Sequence, residues 1–160
     1  MTIAVGDRIP EASLTMMGAE GPKPVNTAEL FGQGRTVLFA VPGAFTPTCS
    51  ANHLPGFVDQ AEDFRAKGVD RIVCMAVNDV FVMDAWGKAG NVEDSLIMVA
   101  DGNGQLASAL GLEMDASAFG MGKRSQRFAM IIDDGKVSSL FVEAPGEFRV
   151  SSAEHVLSQL

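Results

Sequence analysis

The stretch TVLFAVPGAFTPTC, residues 36–49, combines three local signals that together decide the fold. Residues 36–41 are continuously apolar and rich in β-forming side chains, which is typical of a strand buried on both faces of a sheet. Pro42 and Gly43 then turn the chain and let its backbone approach other groups closely. Because a helix-start signal follows within a few residues, the stretch predicts a strand-to-helix junction of an α/β protein.

The helix after this turn is predicted to begin at Pro47, with Thr46 as its N-cap. Threonine supplies a capping oxygen, and proline is favoured at the first helical position. Cys49 then occupies the third helical position, where unpaired backbone N–H groups and the positive end of the helix dipole favour a thiolate, the nucleophilic form. The local sequence leaves two interpretations open: an activated thiol, or a small apolar residue that begins a helix.

The rest of the chain alternates strands with helices. Apolar residues continue at helical spacing from Leu54 to Phe64, and Gly68 ends that helix. Ser151, with Glu154 three residues later, predicts a capping box for the last helix. The other predicted elements are strands at 72–77, 96–100, 128–132 and 137–142, the last two joined by a DDGK turn, and helices near 80–88, 105–110 and 153–160. This order predicts one α/β domain over residues 1–160, with a mixed central sheet and helices on both faces.

Composition excludes several classes of protein. Twenty acidic against twelve basic residues give a net charge of -8, which argues against nucleic-acid binding. Hydrophobic residues make up 47% of the chain, enough for a sizeable core, but no apolar run reaches the ~18 residues that cross a bilayer, so no membrane contact is expected. The amino terminus lacks the basic-then-apolar pattern of a signal peptide, so we expect a cytoplasmic protein.

The chain has two cysteines, Cys49 and Cys74, too few for a disulfide-stapled secreted domain. Cys74 lies within IVCMAV, a run typical of a sheet interior, and is predicted to be a buried, inert thiol. The alternative is that Cys74 resolves an oxidised Cys49 as a disulfide. That step would require a central strand to release its side chain, which is costly.

Pro42, Thr46 and Cys49 form a P-x-x-x-T-x-x-C pattern that resembles the active-site signature of the peroxiredoxins. The longer runs PGAFTPTCSANHLPGF, VNDVFVMDAWG and RFAMIIDDG are similar to the peroxiredoxin-5 type subfamily, and the similarity spans essentially the whole chain. The resemblance implies a thioredoxin-like fold, no cofactor, and reduction of hydrogen peroxide and alkyl hydroperoxides.

The resemblance also implies a role for each site residue. Cys49 matches the peroxidatic cysteine, whose sulfur attacks the peroxide and becomes a sulfenic acid. The Thr46 hydroxyl donates to or accepts from the peroxide while it orients the sulfur, Pro42 shields the thiolate from water, and the amides near Gly43 and Cys49 bind the peroxide oxygens. Arg127 matches the active-site arginine that favours the thiolate and holds the substrate.

Two of these assignments have competitors. Arg124 lies three residues before Arg127 and could take its role, but it is offset from the matching position, and Arg127 itself could be a solvated charge at a strand edge. His53 shares a helix face with Cys49, so the pair could be half of a metal site. The chain offers no second spaced pair, so we predict no metal site and expect His53 to support the substrate pocket.

The sequence departs from some relatives in having PGEFRVSS where they carry a resolving cysteine. We therefore expect a one-cysteine mechanism in which glutaredoxin with glutathione, or thioredoxin, supplies the electrons. A non-enzymatic redox sensor or holdase is the alternative. The resemblance further implies a homodimer, for which Phe45, Phe81 and Trp86 are the interface candidates. All three could instead be core residues, and Phe45, on a turn, is the best interface candidate.

Overall fold

The computed structural model of the chain describes residues 2–160. Seven strands form the main sheet: β1 (Ser13–Gly18), β2 (Gly21–Asn26), β3 (Arg35–Val41), β4 (Arg71–Ala76), β5 (Ile97–Ala100), β8 (Phe128–Asp133) and β9 (Lys136–Val142). Two short strands, β6 (Glu113–Asp115) and β7 (Lys123–Ser125), form a separate ribbon. The helices are α1 (Thr27–Phe31), α2 (Leu54–Asp59), α3 (Ala61–Ala66), α4 (Val80–Ala89), α5 (Gln105–Leu110) and α6 (Ala153–Ser158). A π-helical turn covers Cys49–His53 and a 3-10 turn covers Ser117–Phe119.

The sheet is mixed, as the sequence predicts. Its strand order is β2-β1-β5-β4-β3-β8-β9. Strands β3, β4 and β5 run parallel, whereas β8 is antiparallel to β3 and β9 is antiparallel to β8. The predicted first strand is therefore an interior strand, with β4 on one side and β8 on the other.

Strand β3 separates two hydrophobic cores. Val37, Phe39 and Val41 belong to one core, and Leu38 and Ala40 belong to the other. This alternation follows from the two-residue period of a strand, and it explains why residues 36–41 are apolar without interruption. Helices α2, α3, α4 and α6 contribute to the first core, and α1 and α5 contribute to the second. Helices thus cover both faces, which confirms that prediction.

The DDGK hairpin is also present, with Asp134 and Gly135 both at positive φ in its turn. The helix predicted from Pro47 to Gly68 is interrupted at Gln60, which separates α2 from α3. Strands β1 and β2 were not predicted. The two prolines of β2 argue against a strand in the sequence, but β2 lies at the sheet edge, where proline is tolerated. Helix α1 and the ribbon β6–β7 were missed because three to five residues carry too little periodic signal.

The prediction of Ser151 as the cap of the last helix is wrong. Ser152 is the N-cap, and its hydroxyl accepts a hydrogen bond from the amide of His155. The Ser151 hydroxyl instead donates to the carboxylate of Glu143, at 2.6 Å, in the interior. Two adjacent serines match the capping pattern equally well locally, so the buried carboxylate decides between them.

No helix within residues 2–160 is both long enough and apolar enough to cross a membrane.

Candidate active site

Cys49 lies in the first turn of the helix that follows β3, as predicted. The helix begins at Pro47, so Cys49 is its third residue, and its side chain is fully buried. The turn is π-helical, since the amide of Leu54 donates to the carbonyl of Cys49. Such local departures from α-helical geometry occur frequently at functional sites.

The Thr46 hydroxyl does not make the expected capping bond. It donates to the carbonyl of Gly43 at 2.6 Å, while the Thr46 carbonyl accepts from the amide of Ser50. Because a carbonyl can only accept, the Thr46 hydroxyl uses its proton in this bond. The lone pairs of the hydroxyl oxygen are not used in it and can still accept a hydrogen bond. Thr46 therefore braces the turn that leads from β3 into the helix.

Gly43 lies in that turn, where three side chains approach its backbone closely. A Cβ atom at this position would lie 3.0 Å from the Met121 methyl carbon and 3.2 Å from both Arg124 Nη1 and Thr46 Cγ2. The next residue, Ala44, donates its amide to Asn78 Oδ1 at 2.9 Å. The turn is thus fixed by side-chain packing at Gly43 and by a hydrogen bond at Ala44.

Arg127 reaches the sulfur of Cys49. It stands immediately before β8, and its Nη2 donates to Cys49 Sγ at 3.1 Å. A guanidinium at this distance stabilises negative charge on sulfur and can also bind an oxygen placed beside it. Arg124 does not reach the sulfur, because its Nε donates to the carbonyl of Met121 and its Nη1 points to the carbonyl of Pro42 at 3.5 Å. The geometry decides between the two arginines in favour of Arg127.

His53 is buried and bonded at both ring nitrogens. Arg127 Nη1 lies 2.8 Å from Nδ1, and the Ser151 carbonyl lies 2.9 Å from Nε2. Because a guanidinium only donates, Nδ1 must accept, and the single proton of a neutral imidazole is then on Nε2. Burial, and secondarily the charge of Arg127, lower the pKa of His53 to about 3. His53 is therefore a neutral acceptor that holds Arg127, and within residues 2–160 no cluster of three or more His, Cys, Asp or Glu is arranged to bind a metal ion.

Cys74 lies in the same core as Cys49 but in a different environment. It is fully buried in β4, opposite Phe39 on one neighbouring strand and Met98 on the other. Burial, and secondarily the nearby Cys49, raise the pKa of Cys74 well above its usual value. Both cysteines are free thiols, and Cys74 has the character of an inert core residue.

The three aromatic residues expected at an interface have different placements. Phe45, at positive φ in the turn, is 55% exposed, and Phe81 is 64% exposed. Trp86 is only 2% exposed, because it packs in the core and donates its indole N–H to the Ser50 hydroxyl at 3.0 Å. The structure thus places Trp86 in the core of the single chain, where an interface anchor is not expected.

Sequence reasoning missed three residues beside the site: Glu143, Phe148 and, in its actual position, Ser151. The ring of Phe148 lies 4.9 Å from the ring of His53 and 5.8 Å from the Arg127 guanidinium carbon. These residues follow β9, far from Cys49 in the sequence, in a segment without regular periodicity. No local signal in the sequence marks them.

A groove of about 620 Å³ opens beside the guanidinium of Arg127. Apolar side chains form much of its wall, among them Pro42, Met114, Phe119 and Phe148. Among the described residues that line it, Arg127 is the one cationic side chain, while Glu113, Glu143 and Glu147 also line it and the fully buried Cys49 does not. A small polar group with an organic substituent is the kind of molecule that fits it.

Comparison with known proteins identifies the family. Residues 4–157 match the model of the redoxin family. Over 164 aligned residues the chain is 51% identical to peroxiredoxin-2E-2, a chloroplastic protein of Oryza sativa subsp. japonica, and the match covers 99% of this chain and 73% of that protein. The chain belongs to the redoxin family and is a peroxiredoxin. It is therefore an enzyme of the thiol peroxidase class.

Solved peroxiredoxin structures share its fold. Reduced Prx3 from Vibrio vulnificus, in complex with hydrogen peroxide, superimposes with a TM-score of 0.95 at 52% identity, covering 99% of each chain. Peroxiredoxin 5 from Alvinella pompejana superimposes with a TM-score of 0.84 at 35% identity, covering 98% of this chain and 96% of that one. The predicted thioredoxin-like fold is confirmed.

We expect His53 of this peroxiredoxin to stay neutral across the whole range from pH 8 to pH 5. Its pKa is lowered to about 3 by burial and by the charge of Arg127, whereas an unfolded histidine titrates near 6.5. The unfolded state therefore binds more protons than the native state between these two values. Stability contributed by His53 is fully present above the unfolded value and is lost as the pH falls toward 3.

The measurement is the imidazole carbon-bound proton resonance in an NMR pH titration. A His155→Gln variant leaves His53 as the single histidine, since the chain has two. A flat resonance from pH 8 to pH 5 is the expected result, and a titration midpoint inside that range would contradict the assigned neutral state.

Proposed function

We propose that Cys49 of this peroxiredoxin is the peroxidatic residue and that it reduces hydrogen peroxide and alkyl hydroperoxides. The observation that carries the proposal is the 3.1 Å contact between Arg127 Nη2 and Cys49 Sγ, in a turn braced by Thr46. The sulfur has one cation beside it, and the groove next to that cation could hold an organic substituent. These features match the requirements of a thiolate that attacks a peroxide.

In the proposed step the Cys49 thiolate attacks the terminal oxygen of the peroxide. A sulfur–oxygen bond forms, the oxygen–oxygen bond breaks, and the leaving oxygen takes up one proton from solvent and departs as water or an alcohol. Sulfur is oxidised to a sulfenic acid while the peroxide is reduced. The guanidinium of Arg127, which donates to the sulfur, would stabilise the charge that moves from sulfur to oxygen, and the amides of the first helical turn are proposed to assist it.

We expect Cys49→Ser to abolish peroxide turnover, because a serine hydroxyl at neutral pH is a far weaker nucleophile than a thiolate. Arg127→Ala should lower kcat/KM for hydrogen peroxide about 100-fold, the typical cost of losing a transition-state hydrogen bond donor. The measurement is the initial rate of peroxide consumption with an excess of reductant.

Two matched controls lie in the same region. Cys74→Ser keeps Cys49 and should retain turnover, and Arg124→Ala removes an arginine that contacts Pro42 rather than sulfur, so its effect should be smaller than that of Arg127→Ala. Turnover by Cys49→Ser, or equal losses in the two arginine variants, would refute the assigned roles.

The same proposal includes a one-cysteine mechanism, in which an external thiol reduces the sulfenic acid. Two features support it. Cys74 is fully buried in the sheet interior, and the segment before α6, whose Ser151 carbonyl bonds to His53, contains no cysteine. Two equivalents of an external thiol return Cys49 to the thiol, with release of water and formation of their own disulfide. Glutaredoxin with glutathione, or thioredoxin, is the proposed donor.

After one equivalent of peroxide, mass spectrometry should find the oxidised species on Cys49 alone. An intramolecular disulfide between Cys49 and Cys74 would overturn the one-cysteine mechanism. Rates of peroxide consumption with glutathione and glutaredoxin, compared with those with thioredoxin, then identify the donor. The Cys74→Ser variant provides the control, since it cannot form the intramolecular bond.

A homodimer and a cytoplasmic location stay predictions. The exposure of Phe45 and Phe81 leaves both available for an interface between two copies of the chain. We expect the molar mass in solution, measured by light scattering at micromolar concentration, to be that of two chains. A molar mass equal to that of one chain would refute the homodimer prediction.

A further inference from the structure

Glu143 is a largely buried carboxylate in the wall of the groove beside Arg127, and none of the proposed chemical steps uses it. It follows β9 directly and is 7% exposed. Its Oε2 accepts three hydrogen bonds: from the amide of Arg149 at 2.7 Å, from the amide of Ser151 at 2.8 Å and from the hydroxyl of Ser151 at 2.6 Å. A buried carboxylate is costly unless such donors satisfy it. Glu143 therefore fixes the segment that ends at Ser151.

The charge of Glu143 is kept by these bonds. Burial alone would raise the pKa of Glu143, but the donors from Ser151 and from the amides of Arg149 and Val150 outweigh it and lower the pKa. Hydrogen bonds to an ionised acceptor are roughly twice as strong as neutral ones. The ionised carboxylate therefore fixes the segment from Arg149 to Ser151 more strongly than a neutral acceptor would.

This segment carries the acceptor for His53. The carbonyl of Ser151 binds His53 Nε2, and His53 Nδ1 in turn accepts from Arg127 Nη1. The amide of Glu143 donates to the carbonyl of Arg127 at 3.0 Å. Glu143 is thus linked to Arg127 in two ways. Its amide bonds directly to the Arg127 backbone, and its carboxylate is connected to the guanidinium by hydrogen bonds through Ser151 and His53. The result is a closed ring of contacts that leaves the second guanidinium nitrogen, Nη2, to face Cys49.

The connecting residues have few other ties to the protein. Residues 144–147 are exposed and carry no regular secondary structure. Phe148, in the same segment, packs its ring against His53 and over Arg127. The position of this segment therefore controls both the hydrogen bond to His53 and the apolar cover of Arg127.

We propose that Glu143 is a positioning residue for the peroxidase reaction, holding the Ser151 carbonyl against His53 so that His53 fixes the Arg127 guanidinium beside the Cys49 sulfur. This inference rests on the proposed function of Cys49. Glu143 itself does not contact the reacting atoms. Its effect on the rate comes from the placement of Arg127, and a misplacement of about 1 Å at a reacting centre is enough to slow a reaction strongly.

The test compares two pairs of variants. Glu143→Ala removes the acceptor, and Glu143→Gln keeps an oxygen of the same reach without the charge. Asp101→Ala and Asp101→Asn are the matched controls, because Asp101 is also a buried carboxylate that accepts two backbone amides, those of Leu106 and Ala107. The Asp101 bonds hold the start of α5 and do not involve Ser151, His53 or Arg127.

The direct readout is NMR of the His53 imidazole nitrogens in the His155→Gln background. The parent should show a protonated Nε2 whose hydrogen exchanges slowly with water, and an unprotonated Nδ1. Glu143→Ala should speed exchange of the Nε2 hydrogen and lower kcat/KM for hydrogen peroxide about tenfold, less than the ~100-fold that a full 1 Å misplacement can cost, because Glu143 acts through Ser151 and His53. Glu143→Gln should recover most of the rate, with an exchange rate between those of the parent and Glu143→Ala, and both Asp101 variants should match the parent.

The proposal is overturned if Glu143→Ala, folded by circular dichroism, leaves the His53 signals and the rate unchanged. It is equally overturned if Asp101→Ala reproduces the losses, since the effect would then be one of general stability. If Glu143→Ala does not fold, Glu143→Gln against Asp101→Asn decides: faster exchange at His53 only in the former supports the proposal, and equal exchange refutes it. Absence of peroxide turnover in the parent would refute the proposed function, while the NMR comparison would still show whether Glu143 holds His53.

Discussion

The contact between the guanidinium of Arg127 and the sulfur of Cys49 places a cation against the edge of a hydrophobic core, and much of the surrounding structure follows from that constraint. A cation there must have its donors satisfied, because an unpaired charge next to apolar side chains is costly. One nitrogen faces sulfur and another faces a histidine whose own proton is directed away, toward the carbonyl of Ser151. The neutral state of His53 is part of this solution, since a protonated ring would repel the guanidinium.

Sheet topology brings the participants together. Because β8 is antiparallel to β3, with Phe128 opposite Ala40, the end of β3 and the start of β8 lie at the same edge. Because β9 is antiparallel to β8, with Val142 opposite Phe128, the end of β9 lies there too. The segments that carry Cys49, Arg127 and Glu143 therefore meet where these three strands begin or end, at the same end of the sheet, although they are far apart in sequence. The arrangement is a direct consequence of two antiparallel pairings beside a parallel one.

The two cysteines show how environment separates identical side chains. Both are fully buried in the same core. Cys49 has a guanidinium donor at its sulfur and lies in the first turn of a helix, whereas Cys74 lies in an interior strand between Phe39 and Met98. Reactivity follows thiolate character rather than residue type, so the two environments differ in the feature on which thiol reactivity depends.

The sequence by itself determined what depends on neighbours along the chain. The buried strand at residues 36–41, the helix start at Pro47, the third-position placement of Cys49 and the hairpin at Asp134 and Gly135 all follow from short-range signals, and the signature around Cys49 indicated the family. The tertiary structure alone decided what depends on strand register and on packing between distant segments. It brought the Arg127 guanidinium to the sulfur, a role that the resemblance had already implied for Arg127 rather than Arg124. It also placed Trp86 in the core and gave Ser151 to Glu143 while Ser152 capped the last helix. The two serines are equivalent in local sequence, and only the three-dimensional positions of their partners distinguish them.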